Sequence, residues 1–369
     1  MKKVFALMLV LGIVLCGCTA QPAETTAPVT QAPTTEATVP TTQVATEEPT
    51  TVPTEEPTTA PTEPPVIANP LTGEVLEEPI QTRNFAVVIN NVPIAMPVHG
   101  VSKADVFFEM YVNDYATRGL ALFSDLSQVR SVGSVRSLRY NFTDLCQIFD
   151  AVVVHAGGSE AVLTDRENSG VDNVNAAFYG NYYYQDQSRL DAGYASEHTL
   201  MVRGAETVSH AENNGVRVQA EAGADYGLRF TEDGTPAQGE KAERVTISMI
   251  YEPVTKQSIM VYIPEQGKYQ FNQYGNPVWD SAESSYVYFE NVIVMLCNVY
   301  NDSVYHVADL TDSGEGYFAC GGKIIPIRWS CQSPDGPILF TQEDGTPLEL
   351  GIGNSYIAIA PLGSEVDWE

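Results

Sequence analysis

The sequence predicts a folded part that combines helices and strands, with strands dominating its carboxyl-terminal half. Residues 151–165 give a continuous apolar run, a Gly-Gly turn and a helix-like stretch, which is the succession of an α/β unit. From about Arg244 onwards, short apolar runs alternate with turn signals such as Gly275-Asn276, Gly321-Gly322 and Asp344-Gly345. The residues before position 66 have a different composition and predict no fold.

The chain opens like a secretory signal peptide. Two lysines precede an apolar run at residues 4–15, which is shorter than the ~20 residues that a membrane-spanning helix needs. Leu15-Cys16-Gly17-Cys18 follows and resembles a bacterial lipobox, with small residues directly before Cys18 and bulky Leu15 directly before Cys16. We therefore expect a signal peptide at 1–17 and a lipid on Cys18, which would anchor the chain to the extracellular face of the cell membrane.

Residues 18–65 are predicted to form a disordered stalk. The tract from Thr19 to Pro65 is rich in Thr, Pro and Glu and contains no Lys, Arg or aromatic residue. Such a segment cannot bury enough apolar area to offset the entropy lost on ordering. Proline density and repulsion between glutamates favour an extended chain, so the stalk would hold the folded part away from the membrane.

The formal net charge of −28 limits the partners of this protein. Nucleic acid and anionic lipid headgroups are repelled by such a surface as a whole, so no nucleic-acid partner is predicted. The membrane partner is expected to be reached through the lipid on Cys18 alone.

The cysteines of the folded part show no CxxC or Cys/His spacing, so no metal site or cofactor is predicted. If Gly321-Gly322 forms a two-residue hairpin turn, Cys320 faces Lys323 and not Cys331. Free, buried thiols are therefore expected, although export permits disulfides and their pairing stays open. The four residues are Cys146, Cys297, Cys320 and Cys331.

Further elements follow from local pattern. Apolar residues recur at steps of four, three and four over 138–149, which predicts a helix with Ser131 or Ser134 as its N-cap. Residues 168–203 lack a clear period and read as a long excursion of the kind that often carries function. Buried strands are predicted at 85–89, 106–112, 120–123, 151–155, 291–296 and 355–360.

Basic residues are concentrated in one short stretch of this acidic chain. Four arginines fall within 22 residues, with Asp125 as the one acid among them: Arg118, Arg130, Arg136 and Arg139. A guanidinium presents a planar fork suited to carboxylate or phosphate and is costly to desolvate alone. The predicted helix would place two of the arginines in its first turns, where the macrodipole already favours an anion. Internal salt bridges to Glu109 or Asp105 are the alternative.

Two other features bear on chemistry. The turn at His155-Ala156-Gly157-Gly158-Ser159 follows a predicted strand, so its free N–H groups could hold an oxyanion or phosphate. It nearly matches the G-x-S-x-G nucleophile elbow but has Ala161 at the last position, which makes Ser159 a weak nucleophile candidate. His198 has Asp186 and Arg189 upstream and is either an acid–base group or a structural histidine.

Taken together, the folded part resembles the YerB-like lipoproteins of Gram-positive bacteria. The motifs that carry the resemblance are Asn69-Pro70-Leu71-Thr72-Gly73, Ala104-Asp105-Val106 with Glu109, Thr117-Arg118, Gly133-Ser134-Val135-Arg136-Ser137-Leu138-Arg139, His155-Ala156-Gly157-Gly158-Ser159, Glu197-His198, Gly322-Lys323, Trp329 and Gly353-Asn354-Ser355-Tyr356-Ile357. The resemblance implies a layered α+β sandwich of mixed β-sheet with helices, divided into an amino-terminal region at 66–215 and a β-rich carboxyl-terminal region at 216–369. It implies no particular reaction.

Three hypotheses for function remain. The first is a binding protein that captures an anionic small molecule or cell-wall polymer in an arginine-lined pocket. The second is an enzyme on such a ligand, with Glu109, His155 or His198 as acid–base group. The third is a scaffold whose arginines brace the core. The residues expected at the ligand site are Glu109, Arg118, Arg136, Ser137, Arg139, His155, Gly157, Gly158, Ser159 and His198.

Overall fold

The computed structural model describes residues 67–113, 116–178 and 180–369. The predicted signal peptide at 1–17, the stalk at 18–65 and the lipidation site Cys18 lie outside these residues. None of the helices in the described ranges is long and apolar enough to span a membrane. The same ranges contain no group of three or more His, Cys, Asp or Glu side chains placed to hold a metal ion.

The amino-terminal region alternates strands with short helices. Its strands are β1 Phe85–Asn91, β2 Val106–Asn113, β3 Ala116–Phe123, β4 Ser131–Gly133, β5 Val152–His155, β6 Asn173–Asn175, β7 Tyr183–Gln185 and β8 Leu200–Arg203. Its α-helices are α1 Tyr140–Ile148, α2 Glu160–Ser169, α3 Gln187–Asp191 and α4 Gly204–Asn213. Single 3₁₀ turns occur at Pro93–Ala95, Val101–Lys103, Leu126–Gln128 and Ser196–His198.

The carboxyl-terminal region consists of strands. They are β9 Phe230–Thr231, β10 Glu240–Lys241, β11 Arg244–Tyr251, β12 Val254–Ile263, β13 Lys268–Gln273, β14 Asn276–Pro277, β15 Trp279–Asp280, β16 Ser285–Tyr286, β17 Tyr288–Phe289, β18 Asn291–Cys297, β19 Val299–Asn301, β20 His306–Ala308, β21 Ser313–Cys320, β22 Lys323–Ser330, β23 Leu339–Gln342, β24 Leu350–Gly351, β25 Ser355–Pro361 and β26 Glu365–Trp368.

A central mixed sheet joins the two regions. Its strand order is β10-β22-β21-β18-β25-β2-β3-β1-β5-β6, with β23 beside β22. The strand β25, near the end of the chain, lies between β18 and β2 and runs parallel to both. Strands β1, β5 and β6 are also parallel, whereas β1 and β2 pair antiparallel with β3. The fold is β-rich, and its carboxyl-terminal third is built into the same sheet as its amino-terminal strands.

Both faces of the central sheet are buried, which explains the continuous apolar run of β1. On one face, Val87 and Phe107 pack with Val245 and Phe271 of a second sheet of order β14-β13-β12-β11-β26. On the other face, Val88 and Phe108 pack with apolar residues of α1. Side chains alternate between the faces along each strand, and burying each large apolar side chain contributes about 1.5 to 3 kcal/mol.

The strands predicted from apolar runs are confirmed as β1, β2, β3, β5, β18 and β25. The turn at Gly321-Gly322 is also confirmed, because both glycines have positive φ, of 59° and 76°, and Cys320 pairs with Lys323 across it. The four cysteines of the folded part are buried, free thiols, as the spacing predicted. The boundary at 215/216 between two regions stays a prediction.

The predicted start of the first helix is wrong. Ser131 belongs to the strand β4, and α1 begins at Tyr140 with Arg139 at its N-cap. The backbone N–H groups of Val135 and Arg136 are taken by Leu200 and Val88, at N···O distances of 2.8 and 2.9 Å. Because these residues are tied to neighbouring strands, they cannot join a helix, and Arg136 lies outside it.

Candidate functional site

Three of the four arginines come together beyond the ends of β1 and β5. Arg118 lies on β3, and its Nη1 donates to the carbonyl oxygen of Ser137 at 2.6 Å. Arg136 lies in the segment between β4 and α1, and its carbonyl oxygen accepts a hydrogen bond from Ala156 N at 2.9 Å. This segment ends at Arg139, the N-cap residue of α1. We call Arg118, Arg136 and Arg139 the arginine cluster.

The arginine cluster is poorly neutralised. Arg118 and Arg139 have no carboxylate oxygen within 4 Å among the residues that the structure describes, and both side chains are buried. Arg136 has one, the carboxylate of Glu197 at 3.6 Å, and that glutamate side chain is 58% exposed. Three guanidinium groups therefore face one solvated carboxylate.

The charges in the cluster repel one another. Burial lowers the pKa of Arg118, and repulsion from Arg139 and Arg136 lowers it further, to about 9. Burial likewise lowers the pKa of Arg139, with Arg136 contributing in the same direction. A guanidinium is the most strongly basic of the side chains, so the cluster is a positive site on a strongly negative protein.

Two donors of the cluster are unused. The Nε atoms of Arg136 and Arg139 are buried and have no hydrogen-bond partner among the residues that the structure describes. A buried N–H without an acceptor costs about 1 to 3 kcal/mol, and more for a charged group. Arg139 is held by two other contacts: its Nη1 donates to Leu138 O at 2.6 Å, and its guanidinium lies 4.1 Å from the ring centroid of Tyr305.

The glycine turn after β5 lies against the cluster. Leu138 N donates to Gly157 O at 2.9 Å, and a side chain at Gly158 would meet Leu138 at 3.7 Å. Gly157 has a positive φ of 69°, and its N–H is taken by Asn175 Oδ1. The turn therefore contributes backbone next to Leu138 and Arg139.

The side chains of this turn are engaged in structure. Ser159 is the N-cap of α2, where its hydroxyl accepts from Val162 N at 3.4 Å. The imidazole of His155 is buried, with Nδ1 2.8 Å from Gly157 O and Nε2 3.1 Å from Asn173 Oδ1. Burial lowers the pKa of His155. Neither group is directed to an open surface as a nucleophile or base.

Glu109 is not part of this site. Along β2 and β3 the side chains alternate, so Glu109 lies on the face towards the second sheet and Arg118 on the helix face. Glu109 forms a buried ion pair with Lys256 and accepts from four further donors: Asn91, Thr117, Ser258 and Tyr356. Burial raises its pKa, but the ammonium and these donors outweigh that effect and hold it below the ordinary value.

The other predicted carboxylate partner is also engaged elsewhere. Asp105 accepts a hydrogen bond from Ser124 N at 2.6 Å, and burial raises its pKa. The salt bridges to Glu109 and Asp105 that the sequence offered as an alternative are therefore absent from the described structure.

Comparison with known proteins identifies the family. Two sequence models match this chain, described as protein of unknown function (DUF3048) N-terminal domain at residues 71–217 and C-terminal domain at residues 247–357. This chain belongs to the DUF3048 family. The predicted resemblance to YerB-like proteins is confirmed by the relatives described next.

Relatives of this DUF3048 chain have been named and solved. The "Putative lipoprotein YerB" of Bacillus subtilis (strain 168) is 27% identical over 298 residues, which cover 79% of this chain and 86% of that protein. The crystal structure of YerB protein from Bacillus subtilis matches with a TM-score of 0.71 and 25% identity, covering 82% of this chain and 99% of that one.

His198 of the DUF3048 chain is buried beside the cluster, with its Nε2 3.5 Å from the Glu197 carboxylate that also contacts Arg136. Its Nδ1 accepts from Asn90 Nδ2 at 2.8 Å, and burial lowers its pKa. Arg189 holds the backbone here by donating to the carbonyls of Ala95 and His198, at 3.0 and 3.1 Å. Asp186 caps α3. These residues position Glu197, the neighbour of His198, against Arg136.

Arg130 does not join the other three arginines. It lies in a separate cleft of about 600 Å³, together with Arg203 and Tyr184. Sequence reasoning missed both of these residues, and it missed Tyr305, which covers Arg139. Ser137 contributes its carbonyl oxygen to the cluster, and no side-chain hydrogen bond of Ser137 is seen in the described residues.

Proposed function

We propose that this DUF3048 protein is a cell-surface lipoprotein that binds an anionic ligand through Arg118, Arg136 and Arg139. One observation carries the proposal: three guanidinium groups converge while one exposed carboxylate is near them. Proteins rarely leave buried charges unpaired, so an external anion is the missing partner. The lipid anchor rests on the lipobox-like Cys18 and on the name of the Bacillus subtilis relative.

The unused Nε donors support an anion with several acceptor oxygens. A guanidinium recognises carboxylate or phosphate with two parallel N–H···O bonds, and the buried Nε donors of Arg136 and Arg139 have no partner among the described residues. Tyr305 would close one side of the ligand, because its ring already covers the face of Arg139. Glu197, solvated and loosely paired, would be displaced or would move aside.

A structural role is the second candidate, and it has an observation of its own. The hydrogen bonds from Arg118 to Ser137 O and from Arg139 to Leu138 O tie β3 and α1 to the segment between them. In this case the arginines would stabilise the fold and bind nothing.

Titration with inorganic phosphate tests the proposal. Arg136→Lys keeps the charge and loses the planar fork, so we expect it to weaken phosphate binding about tenfold in isothermal titration calorimetry. Arg244→Lys is the matched control, because Arg244 also faces an exposed carboxylate, that of Glu369, at 3.8 Å. Its affinity for phosphate should equal that of the wild type.

Arg118→Met separates the two candidates. Under the binding proposal, it removes an unpaired buried charge, so phosphate binding weakens while the free energy of unfolding stays equal or rises. If the role is structural, the wild type binds no phosphate. Chemical denaturation then shows that the free energy of unfolding of Arg118→Met is lower by several kcal/mol. That second pair of results would refute the binding proposal.

A further inference from the structure

The cleft that contains Arg130 has the chemistry of an anion site. It has a volume of about 600 Å³ and is lined by Ser127, Gln128, Arg130, Ser131, Tyr184 and Arg203. The hydroxyl and amide groups can donate hydrogen bonds. The charged side chains that line the cleft are two cations, Arg130 and Arg203, and one carboxylate, that of Glu206. Neither arginine has a carboxylate within 4 Å among the residues 67–113, 116–178 and 180–369.

Arg203 is held in place without its charge being neutralised. Its Nη1 donates to Asn181 O at 2.7 Å and to Tyr183 O at 3.1 Å, and its guanidinium lies 4.5 Å from the ring centroid of Tyr184. These partners are carbonyls and a ring, which orient a cation but leave its formal charge uncompensated. Arg130, in contrast, is exposed, and no contact of its side chain is seen in the described structure.

The cleft lies close to the arginine cluster along the chain. Ser131 on β4 pairs directly with Arg203 on β8, and the same segment continues to Arg136. Six residues of extended chain span at most about 22 Å, so the Cα atoms of Arg130 and Arg136 are no farther apart than that. No Asp or Glu occurs between Asp125 and Asp144, so this stretch carries no negative side chain of its own.

We propose that the Arg130–Arg203 cleft is a second anion subsite, and that the ligand is a linear chain of phosphate groups that occupies both sites. The inference rests on the proposed function, because one phosphate is assigned to the arginine cluster. A chain of this kind explains why two uncompensated arginine sites lie within one short stretch of a protein with a charge of −28. One chain that engages two sites at once gains effective concentration, so it would bind more tightly than a single phosphate.

The test compares ligands of increasing length on the full chain. Isothermal titration with orthophosphate, tripolyphosphate and long-chain polyphosphate should give affinities that rise steeply with length, by a factor of about 10² or more from linkage of two sites. Arg130→Gln should lower the ratio of long-chain to orthophosphate affinity at least tenfold. Its exposed side chain makes no contact seen in the described residues, so thermal unfolding should be unchanged.

Arg328→Gln is the control, because Arg328 is also exposed and only loosely paired, at 3.9 Å from Glu315. In this control variant, the affinity should rise with ligand length as much as in the wild type. An unchanged length ratio in Arg130→Gln would overturn the second subsite. Glycerol phosphate oligomers, run beside polyphosphate, identify whether the phosphates come from a polyol phosphodiester or from a free polyphosphate.

The failure of each proposal has its own signature. If orthophosphate does not bind and Arg136→Lys has no effect on any ligand, the proposed function fails, whatever Arg130→Gln does. If orthophosphate binds in an Arg136-dependent way but affinity does not rise with the length of the phosphate chain, the second subsite is refuted and the proposed function stands. An equal, Arg130-dependent gain in affinity with poly-L-glutamate, whose charges are carboxylates, would overturn the assignment to a phosphate chain.

Discussion

Lys256 and Arg118 are both buried cations, but their surroundings differ. The ammonium of Lys256 contacts Glu109 between the two sheets, within a network in which the carboxylate has five donors. The guanidinium of Arg118 has a carbonyl and two like charges. A satisfied network specifies a fold, whereas an unsatisfied charge indicates a missing partner.

The buried pair should behave as one unit in stability measurements. Lys256→Met leaves the Glu109 carboxylate without its counter-charge, so we expect the free energy of unfolding at pH 7 to fall by about 3 to 5 kcal/mol. Adding Glu109→Gln should recover part of that loss, because the uncompensated charge is gone. Urea denaturation measures both. Lys241→Met breaks an exposed pair with Glu243 and should cost less than about 1 kcal/mol. Additive effects in the double variant would contradict the coupling.

Asp144 should make stability depend on pH. Burial raises its pKa to about 6, against the hydrogen bond from Asn141 and with repulsion from Asp165 and Asp309. The folded state thus binds the proton more tightly than the unfolded state. The contribution of Asp144 to stability is therefore full below about pH 4, is lost as pH rises towards 6, and stays lost above it.

Removing the Asp144 carboxylate should remove this dependence. Asp144→Asn is expected to raise the free energy of unfolding at pH 7 by about 2 kcal/mol and to flatten its profile between about pH 4 and 6. Thermal and chemical unfolding across that range would measure it. The exposed Asp367→Asn should leave the profile as in the wild type, and an unchanged profile in Asp144→Asn would show that this carboxyl does not titrate there.

At the scale of elements, the helix α1 is tied to a distant loop that supplies part of the arginine site. Asn141 Nδ2 donates to Ala308 O at 2.7 Å, and its Oδ1 accepts from Ala308 N at 2.8 Å. This contact fixes β20 beside α1. Because Tyr305 directly precedes β20, its ring is placed over Arg139. The α1–β20 contact thus positions one wall of the cluster.

Loss of this contact should be costly. Asn141→Ala removes the side chain that pairs with the backbone N–H and C=O of buried Ala308. We therefore expect the free energy of unfolding, measured by urea denaturation, to fall by about 2 kcal/mol or more. Asn276→Ala is the control, since Asn276 is exposed and donates one bond to Tyr274 O at 3.2 Å. It should change stability by less than about 0.5 kcal/mol. Equal effects of the two substitutions would show that α1 and β20 are held by other contacts.

At the scale of the whole molecule, the described residues form one compact unit in which the two ends of the fold share a sheet. The last long strand, β25, is inserted between β2 and β18, so the amino-terminal strands cannot form their complete sheet without the carboxyl-terminal residues. Such non-local pairing makes unfolding cooperative across the region boundary. The arginine cluster is correspondingly built from β3 and the segment between β4 and α1, and Tyr305 of the carboxyl-terminal region covers one of its members.

The proposed anchor is testable on the full chain in a bacterial host. Incorporation of radiolabelled fatty acid should disappear in Cys18→Ala, because the lipid forms on that thiol, and persist in Cys16→Ala. Membrane fractions should lose the protein in parallel. Label that survives Cys18→Ala would contradict the proposed lipidation site.

The sequence by itself determined the strands and the excess of arginine. Apolar runs such as those of β1 and β18 are decided by local composition, because a strand buried on both faces needs apolar residues at most positions. The hairpin at Gly321-Gly322 follows from the backbone freedom of glycine alone. For the site, the sequence placed the glycine turn directly after a buried strand, and the structure has that turn at the end of β5.

Only the tertiary structure decided which charges meet. The alternation of side chains along β2 and β3 places Glu109 and Arg118 on opposite faces of the sheet. The residues that cover each face come from distant parts of the chain. On the face of Glu109, the covering residue is Lys256. Backbone hydrogen bonds to β8 hold residues 131–135 in an extended conformation and keep them out of a helix. Arg130, which directly precedes β4, therefore lies in a cleft away from the arginine cluster. Local propensity carries no information about such contacts, because they depend on elements far apart in the chain.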